Sequence, residues 1–266
     1  MASLASPPPP ADRPRGWELS RVWLVVPGLL AVLPVLIYAA SPAAYTRLIV
    51  SEQYREYQAA EMVTFGAAVL GGVVLLLAAM RLWRIRPRRG FGPAGLRGAP
   101  DRWLALLLVG SAALAAIFFG GEEVNWGQTF ANWGIPERQQ NLERIANLHN
   151  TTELVSIQSL GSIYVIALFL VVPGLWLLRK PLKWPAVWRP AVPPLSAVVA
   201  VLLGLAFAEA KDLYAAAYGT STADRLYWDF IEQWNELKEM MIAVAFLLYG
   251  FSALGRARRA RRPASD

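Results

Sequence analysis

Carboxylates and a single imidazole are the side chains of this sequence that are best suited to chemistry. A carboxylate beside an imidazole can exchange a proton with it, and the same pair can ligate a divalent ion. Two adjacent carboxylates lie in a polar central segment with the only histidine, and others stand where apolar runs begin or end. The catalytic candidates are Glu122, Glu123, His149, Glu209, Glu236 and Glu239. Glu61, Trp126, Gln128, Asn147 and Asn150 are expected to line the same site.

A divalent metal ion is one way in which such residues work. Oxygen ligands favour magnesium, calcium or manganese, and one imidazole admits manganese, iron or zinc. The metal candidates are Glu123, His149 and Glu239. Cysteine is absent and histidine occurs once, which excludes thiolate sites and three-histidine zinc sites within one chain. Without a metal, a carboxylate beside His149 would serve as acid and base, so the cofactor stays open.

The place of each acid along its apolar run separates functional from structural interpretations. An acid at the start of a helix complements the helix dipole and needs no further role, as at Glu61, Glu236 and Glu239. Glu122, Glu123 and Glu209 stand at the ends of apolar runs, where the dipole disfavours an anion. These three are therefore the stronger functional candidates, and Glu209 is expected to face the interior of the protein. A lone histidine, likewise, is also typical of a structural hydrogen bond.

The composition predicts a membrane protein. Of 266 residues, 56% are hydrophobic and 17% charged, whereas about a quarter of the residues in soluble domains are charged. Apolar runs recur at close to the length of about 20 residues that a bilayer requires. We predict an all-α polytopic bundle of six transmembrane helices, with short amphipathic helices and a polar loop on the outer side. The expected spans are about 22–40, 62–80, 103–121, 155–178, 192–208 and 236–254.

The charges predict how the bundle is oriented. Nineteen of the 26 Lys and Arg fall in the two tails and the second and fourth connections, and fifteen of the 19 Asp and Glu fall in the other three connections. The positive-inside rule then places both termini in the cytoplasm, and we expect a bacterial inner membrane. The basic segments would contact anionic lipids and not nucleic acid. Residues 1–20 are expected to form a disordered cytoplasmic tail, 21–255 the transmembrane domain and 256–266 a basic cytoplasmic tail.

Two features predict how the spans meet. Gly66, Gly71 and Gly72 would let a neighbouring helix approach the second span closely. The spans are also slightly short on the outer side, which brings carboxylates from several helices to one depth. We therefore expect one polar pocket there, formed by one residue of the Glu122–Glu123 pair, His149, and one of Glu236 and Glu239.

The central segment carries a resemblance to a known group of proteins. It reads GGEEVNWGQ and later NLHN, so that Glu122, Glu123, Trp126, Gly127 and Gln128 precede the run 147–150. This resembles bacterial multi-pass inner-membrane proteins of unassigned function that share an EExxWGQ…NLHN signature. The acid expected just before NLHN is missing, since Ile145 and Ala146 stand there. The resemblance implies a membrane site without naming a reaction.

Three classes of function remain open on the sequence. The first is an enzyme at the outer leaflet that acts on a lipid-linked or headgroup-level substrate. The second is an accessory or assembly subunit of a membrane complex, with the aromatic stretches 45–61 and 227–234 as contact surfaces. The third is a small ion-coupled transporter, which would require acids near the bilayer midplane. The expected partners are thus the lipid bilayer, a lipid-linked substrate or a membrane protein.

Overall fold

The structure is a computed structural model that describes residues 23–49, 59–84, 99–123, 155–178, 191–219, 226–231 and 233–260. This part of the chain contains helices and no strand, which confirms the all-α prediction for it. The helices are α1 (Val25–Ala40), α2 (Pro42–Ile49), α3 (Ala59–Trp83), α4 (Ala99–Glu123), α5 (Val155–Ile166), α6 (Val172–Leu178), α7 (Leu195–Tyr218) and α8 (Trp234–Ala260). Five-residue π-helical segments lie at Ala167–Val171, between α5 and α6, and at Tyr227–Ile231, before α8.

Four helical stretches in the described residues are long and apolar enough to cross a membrane. They are Ala60–Trp83, Trp103–Gly121, Leu160–Leu178 and Trp234–Arg258, and each coincides with one of the expected spans. Their outward faces carry large apolar side chains such as Leu107 and Leu160, which is typical of helices that contact lipid. The chain is therefore a membrane-type helical bundle. The remaining expected spans correspond to α1, which is shorter, and α7, which carries charges in its second half.

Close packing of glycines joins α3 to α8. A Cβ atom on Gly71 would lie 2.8 Å from the backbone nitrogen of Leu247, and one on Gly250 would lie 3.0 Å from the carbonyl oxygen of Gly71. Gly250 also faces Val74, so the residue numbers rise together along the two helices and the pair is parallel. The prediction for Gly71 is confirmed. That for Gly66 is wrong, because this glycine faces open space on the exposed side of α3.

The neighbours of this pair run in the opposite direction. Gly72 of α3 packs against Ile117 of α4, and Gly120 packs against Phe65, so α4 is antiparallel to α3. Gly204 of α7 lies against the backbone of Lys238, and α7 is antiparallel to α8 because the ring of Phe207 meets Trp234 at 5.6 Å. The end at which α3 and α8 begin and α4 and α7 end is called the acidic end below. The opposite end is called the basic end.

At the basic end, α8 extends further than expected. It continues to Ala260, past residue 255, where the sequence predicted the bundle to stop. Arg256 holds this turn in place, since its guanidinium donates to the carbonyls of Ser252 and Val192. Two turns earlier, the Tyr249 hydroxyl donates to the Ala191 carbonyl at 2.6 Å. These bonds tie the start of the α7 segment to the end of α8.

Candidate functional site

The register of α3 and α8 brings two of the predicted acids to one level. Glu61 lies ten residues before Gly71, and Glu236 lies eleven residues before Leu247, the backbone neighbour of Gly71. At 1.5 Å per residue, both carboxylates stand about 15 Å from the shared contact along parallel helices. Glu239 lies one turn below Glu236 on the same face of α8. These three acids therefore lie at about one level of the bundle, and their depth in a membrane stays a prediction.

Charged side chains surround Glu236. Its carboxyl group interacts electrostatically with Glu239 and Glu61, and with the ammonium groups of Lys238 and Lys211. All five side chains are buried or partly buried. We call Glu61, Lys211, Glu236, Lys238 and Glu239 the charge cluster. Ionisable groups at such a position in a membrane bundle are costly unless they face partners, as these do.

Lys211 is the cluster's contribution from α7, and it replaces Glu209 in that role. Only 8% of Lys211 is exposed, whereas Glu209 is exposed on the other side of the helix. The two residues are separated by about 200° around the helix, so only one of them can face α8. The expectation that Glu209 faces the interior is therefore wrong. The dipole argument for Glu209 does not apply either, because α7 continues to Tyr218 and Glu209 is not in its last turn.

A pattern in the sequence would have identified Lys211. Ala197, Ala200, Gly204 and Lys211 recur at spacings of three, four and seven residues, and all four are buried on the face of α7 that meets α8. Small residues mark the face of a membrane helix that packs against a neighbour. A lysine that continues such a stripe must point into the bundle. Glu209 does not share this spacing.

The remaining predicted site residues are only partly covered. α4 ends at Glu123, three residues beyond Gly120, so the backbone of Glu122 and Glu123 belongs to the acidic end. Their side chains lie outside the described part of the structure. Five further predicted members of the site also lie outside the described residues: Trp126, Gln128, Asn147, His149 and Asn150. The convergence of these seven residues with the charge cluster therefore stays a prediction.

Metal ligation is not apparent in the described residues. They contain no group of three or more His, Asp or Glu side chains arranged to hold a metal ion. Within the charge cluster, the ammonium groups of Lys211 and Lys238 both act on the carboxyl group of Glu236. The metal candidates Glu123 and His149 have side chains outside this part, and the metal set that includes Glu239 stays a prediction.

An aromatic cluster adjoins the charged one at the acidic end. Its members share ring contacts, with Tyr38 stacked on Phe230 at 4.3 Å and Tyr45 edge-on to Phe230 at 5.1 Å. Trp234 meets Phe230 edge-on at 5.5 Å. On the far side, Tyr214 stacks on Tyr227 at 6.0 Å. We call these six residues the aromatic cluster: Tyr38, Tyr45, Tyr214, Tyr227, Phe230 and Trp234.

Two polar atoms of the aromatic cluster are buried without a hydrogen bond. Among the described residues, neither the Tyr45 hydroxyl nor the Trp234 indole nitrogen has a partner. Burial raises the pKa of the Tyr45 hydroxyl above its ordinary value of 10.0, and the nearby Tyr38 adds to the effect, so the group is a neutral phenol at physiological pH. A buried donor without an acceptor destabilises the state that contains it by about 1–3 kcal/mol. Such a group calls for an explanation in function or motion.

The two clusters are continuous through the chain. Ala60 packs into the aromatic cluster and Glu61 follows it, while Trp234 precedes Glu236 by two residues. On α7, Tyr214 lies one turn beyond Lys211, on the same side of the helix. The acidic end therefore combines an interior group of acids and amines with an aromatic cover. Such an arrangement can hold and transfer protons away from bulk water.

Comparison of the chain with protein-family models, with curated proteins and with solved structures gives no match. The resemblance to inner-membrane proteins with an EExxWGQ…NLHN signature therefore stays a prediction.

Proposed function

We propose that the chain is a membrane-embedded enzyme that carries out acid–base chemistry at its acidic end. The observation that carries the proposal is the surrounding of Glu236 by Glu61, Glu239, Lys211 and Lys238. Carboxyl groups that crowd together away from bulk water can take different protonation states, which is how one site supplies both an acid and a base. The substrate class that fits is a lipid-linked or headgroup-level molecule.

Four members of the charge cluster have assigned roles in this proposal. Glu236 exchanges the proton with the substrate, since two other carboxylates and two ammonium groups act on its carboxyl group. Glu61 and Glu239 share the proton with it, and Lys211 supplies the buried positive charge that keeps the carboxylates in place. Glu122, Glu123 and His149 are candidates to complete the site from the central segment. A bound divalent ion would add Lewis-acid activation there.

The location that we propose is the bacterial inner membrane, with six spans and both termini in the cytoplasm. α1 and α7 would supply the two further spans, since both run antiparallel to α8. For α1, Trp23 stacks on Phe251 and Tyr38 on Phe230, and for α7 the ring of Phe207 meets Trp234. The charges of the connecting segments, basic on one side and acidic on the other, support this orientation. The acidic end would then open to the outer headgroup layer, where lipid-linked molecules present their polar part.

The two other classes of function receive less support. As an accessory subunit, the chain would offer the stretches 45–61 and 227–234 as contact surfaces. Tyr45, Tyr227 and Phe230 are instead buried against one another. As a transporter, it would carry its charges near the middle of the spans, but Glu61 and Glu236 lie within the first turn of their helices.

The proposal is tested by lipid analysis of a strain that lacks the gene. Complementation with the wild-type chain should restore the lipid profile, and Glu236→Gln should leave the same lipid species accumulated as the deletion does. Glu209→Gln is the matched control, because it makes the same chemical change at an exposed site and should complement fully. Full complementation by Glu236→Gln at equal membrane abundance would refute the acid–base role.

A further inference from the structure

We propose that α2 is a lid over the charge cluster and that Tyr45 is the side chain with which this lid closes. The inference rests on the proposed function, in that the charge cluster is taken as the working site. It adds a device that regulates access to that site from the acidic end. It draws on the hinge before α2, the burial of Tyr45 and the partnerless hydroxyl.

The helical backbone is interrupted between α1 and α2. α1 ends at Ala40, and Ser41 adopts an extended conformation before α2 begins at Pro42. The Ser41 side chain accepts a hydrogen bond from the Ala44 backbone N–H at 3.2 Å, and its carbonyl accepts one from Tyr45 at 3.0 Å. These bonds cap the first turn of α2, which begins directly after one extended residue. In the proposed opening, the backbone angles at Ser41 change and α2 moves away from the aromatic cluster.

Among the α2 side chains that the structure describes, Tyr45 is the buried one. Its side chain is fully buried, whereas Pro42 and Ala43 before it are exposed. The ring meets Tyr38 edge-on at 5.4 Å and Phe230 at 5.1 Å, and it packs in one cluster with Ala60. Ala60 is the residue before Glu61 of the charge cluster. Lifting Tyr45 would thus uncover the start of α3 beside the carboxylates.

The Tyr45 hydroxyl biases the lid against permanent closure. In the closed state it has no hydrogen-bond partner among the described residues, but once lifted it would bond to water or to a headgroup. The aromatic contacts favour closure and the phenol opposes it, so the same side chain acts in both directions. A phenylalanine in this place would keep the ring contacts and remove the opposing effect. Whether Tyr45→Phe favours or disfavours the closed state is therefore a distinctive test of the lid.

The test uses a single cysteine at Ala60. Because the chain contains no other cysteine, a thiol reagent modifies this position alone. The rate at which a small methanethiosulfonate reagent modifies Ala60→Cys reports how often the lid opens, provided that reclosing is faster than modification. We expect Tyr45→Phe to slow the modification by at least about fivefold, because the closed state loses its unsatisfied hydroxyl. Tyr45→Ala should accelerate it by at least about tenfold, because the buried ring is lost.

A cysteine at Ala217, which is exposed on the last turn of α7, is the control and should react at one rate in all three backgrounds. If Ala60→Cys is modified at an unchanged or faster rate when Tyr45→Phe is added, the lid proposal is wrong. It is also wrong if adding Tyr45→Ala does not accelerate the modification. The readout needs no substrate, so the lid can fail while Glu236→Gln still abolishes complementation. Conversely, a working lid with a fully active Glu236→Gln variant would refute only the proposed chemistry.

Discussion

At the scale of single residues, the contrast between Glu209 and Lys211 decides how α7 contributes to the site. Both are charged and stand two residues apart, yet one is exposed and the other has only 8% of its surface exposed. Removing one partner of a buried charge group leaves the other charges without compensation, which costs more than removing an exposed charge. The two positions should therefore respond very differently to neutral substitutions.

Lys211→Met should lower the free energy of unfolding in detergent micelles by about 3 kcal/mol, since Glu236 and its neighbours lose a buried counter-charge. Adding Glu236→Gln to it should restore part of the loss, because the two side chains interact. Glu209→Gln is the control and should change stability by less than about 0.5 kcal/mol. Equal small effects of Lys211→Met and Glu209→Gln would contradict the buried position of Lys211.

The sequence predicted several of these residues but not their directions. Glu61, Glu236 and Glu239 could be brought to one depth because a bilayer of fixed thickness limits where a helix can start. Whether Glu209 or Lys211 faces α8 depends on the rotation of α7, and the dipole argument used for Glu209 contains no information about rotation. The spacing of the small residues does contain it.

At the scale of helices, two glycines of α3 allow the effect of helix–helix packing on stability to be distinguished from the effect of helix propensity. A Cβ atom at Gly71 would meet the backbone of Leu247, which cannot move as a flexible side chain would, whereas one at Gly66 would meet nothing within 4 Å. The sequence names both residues as contact candidates, since both are small. Only the partner's position distinguishes them, and that is set by the whole bundle.

Gly71→Ala should destabilise the protein by about 1–3 kcal/mol, because α3 and α8 must move apart to admit the methyl group. Gly66→Ala should be neutral or stabilise it by up to about 1 kcal/mol, since alanine is the better helix former and the site is open. Both values can be read from unfolding curves in the same detergent. A loss of stability in Gly66→Ala as large as that in Gly71→Ala would rule out the α3–α8 packing described above.

The predicted helix boundaries differed most where polar residues continue an apolar helix. α7 runs to Tyr218, ten residues past its expected end at 208, because Lys211 and Tyr214 pack into the two clusters and extend the helix beyond its apolar part. The fourth expected span at 155–178 has the right limits but contains the π-helical turn Ala167–Val171. Hydropathy measures polarity and not hydrogen-bond register, so it cannot predict that turn.

At the scale of the whole molecule, composition and length predicted the class, and the charge distribution predicted the contrast between the two ends. The glycine contacts fix helix directions that place Glu61 and Glu236 at one end and Arg81 and Arg256 at the other. That separation is what a chain needs in order to present acids to one side of a membrane and basic residues to the other. The detailed pairing of helices, by contrast, could not be predicted from periodicity alone.

The account depends most directly on the acidic end facing the outside of the cell across a membrane. Single cysteines at Ala217, on the last turn of α7, and at Ala94, in the basic connection between α3 and α4, test this in intact cells. An impermeant maleimide should label Ala217→Cys at once and Ala94→Cys only after permeabilisation. Equal labelling of both positions in intact cells, or labelling of Ala94→Cys alone, would contradict the account.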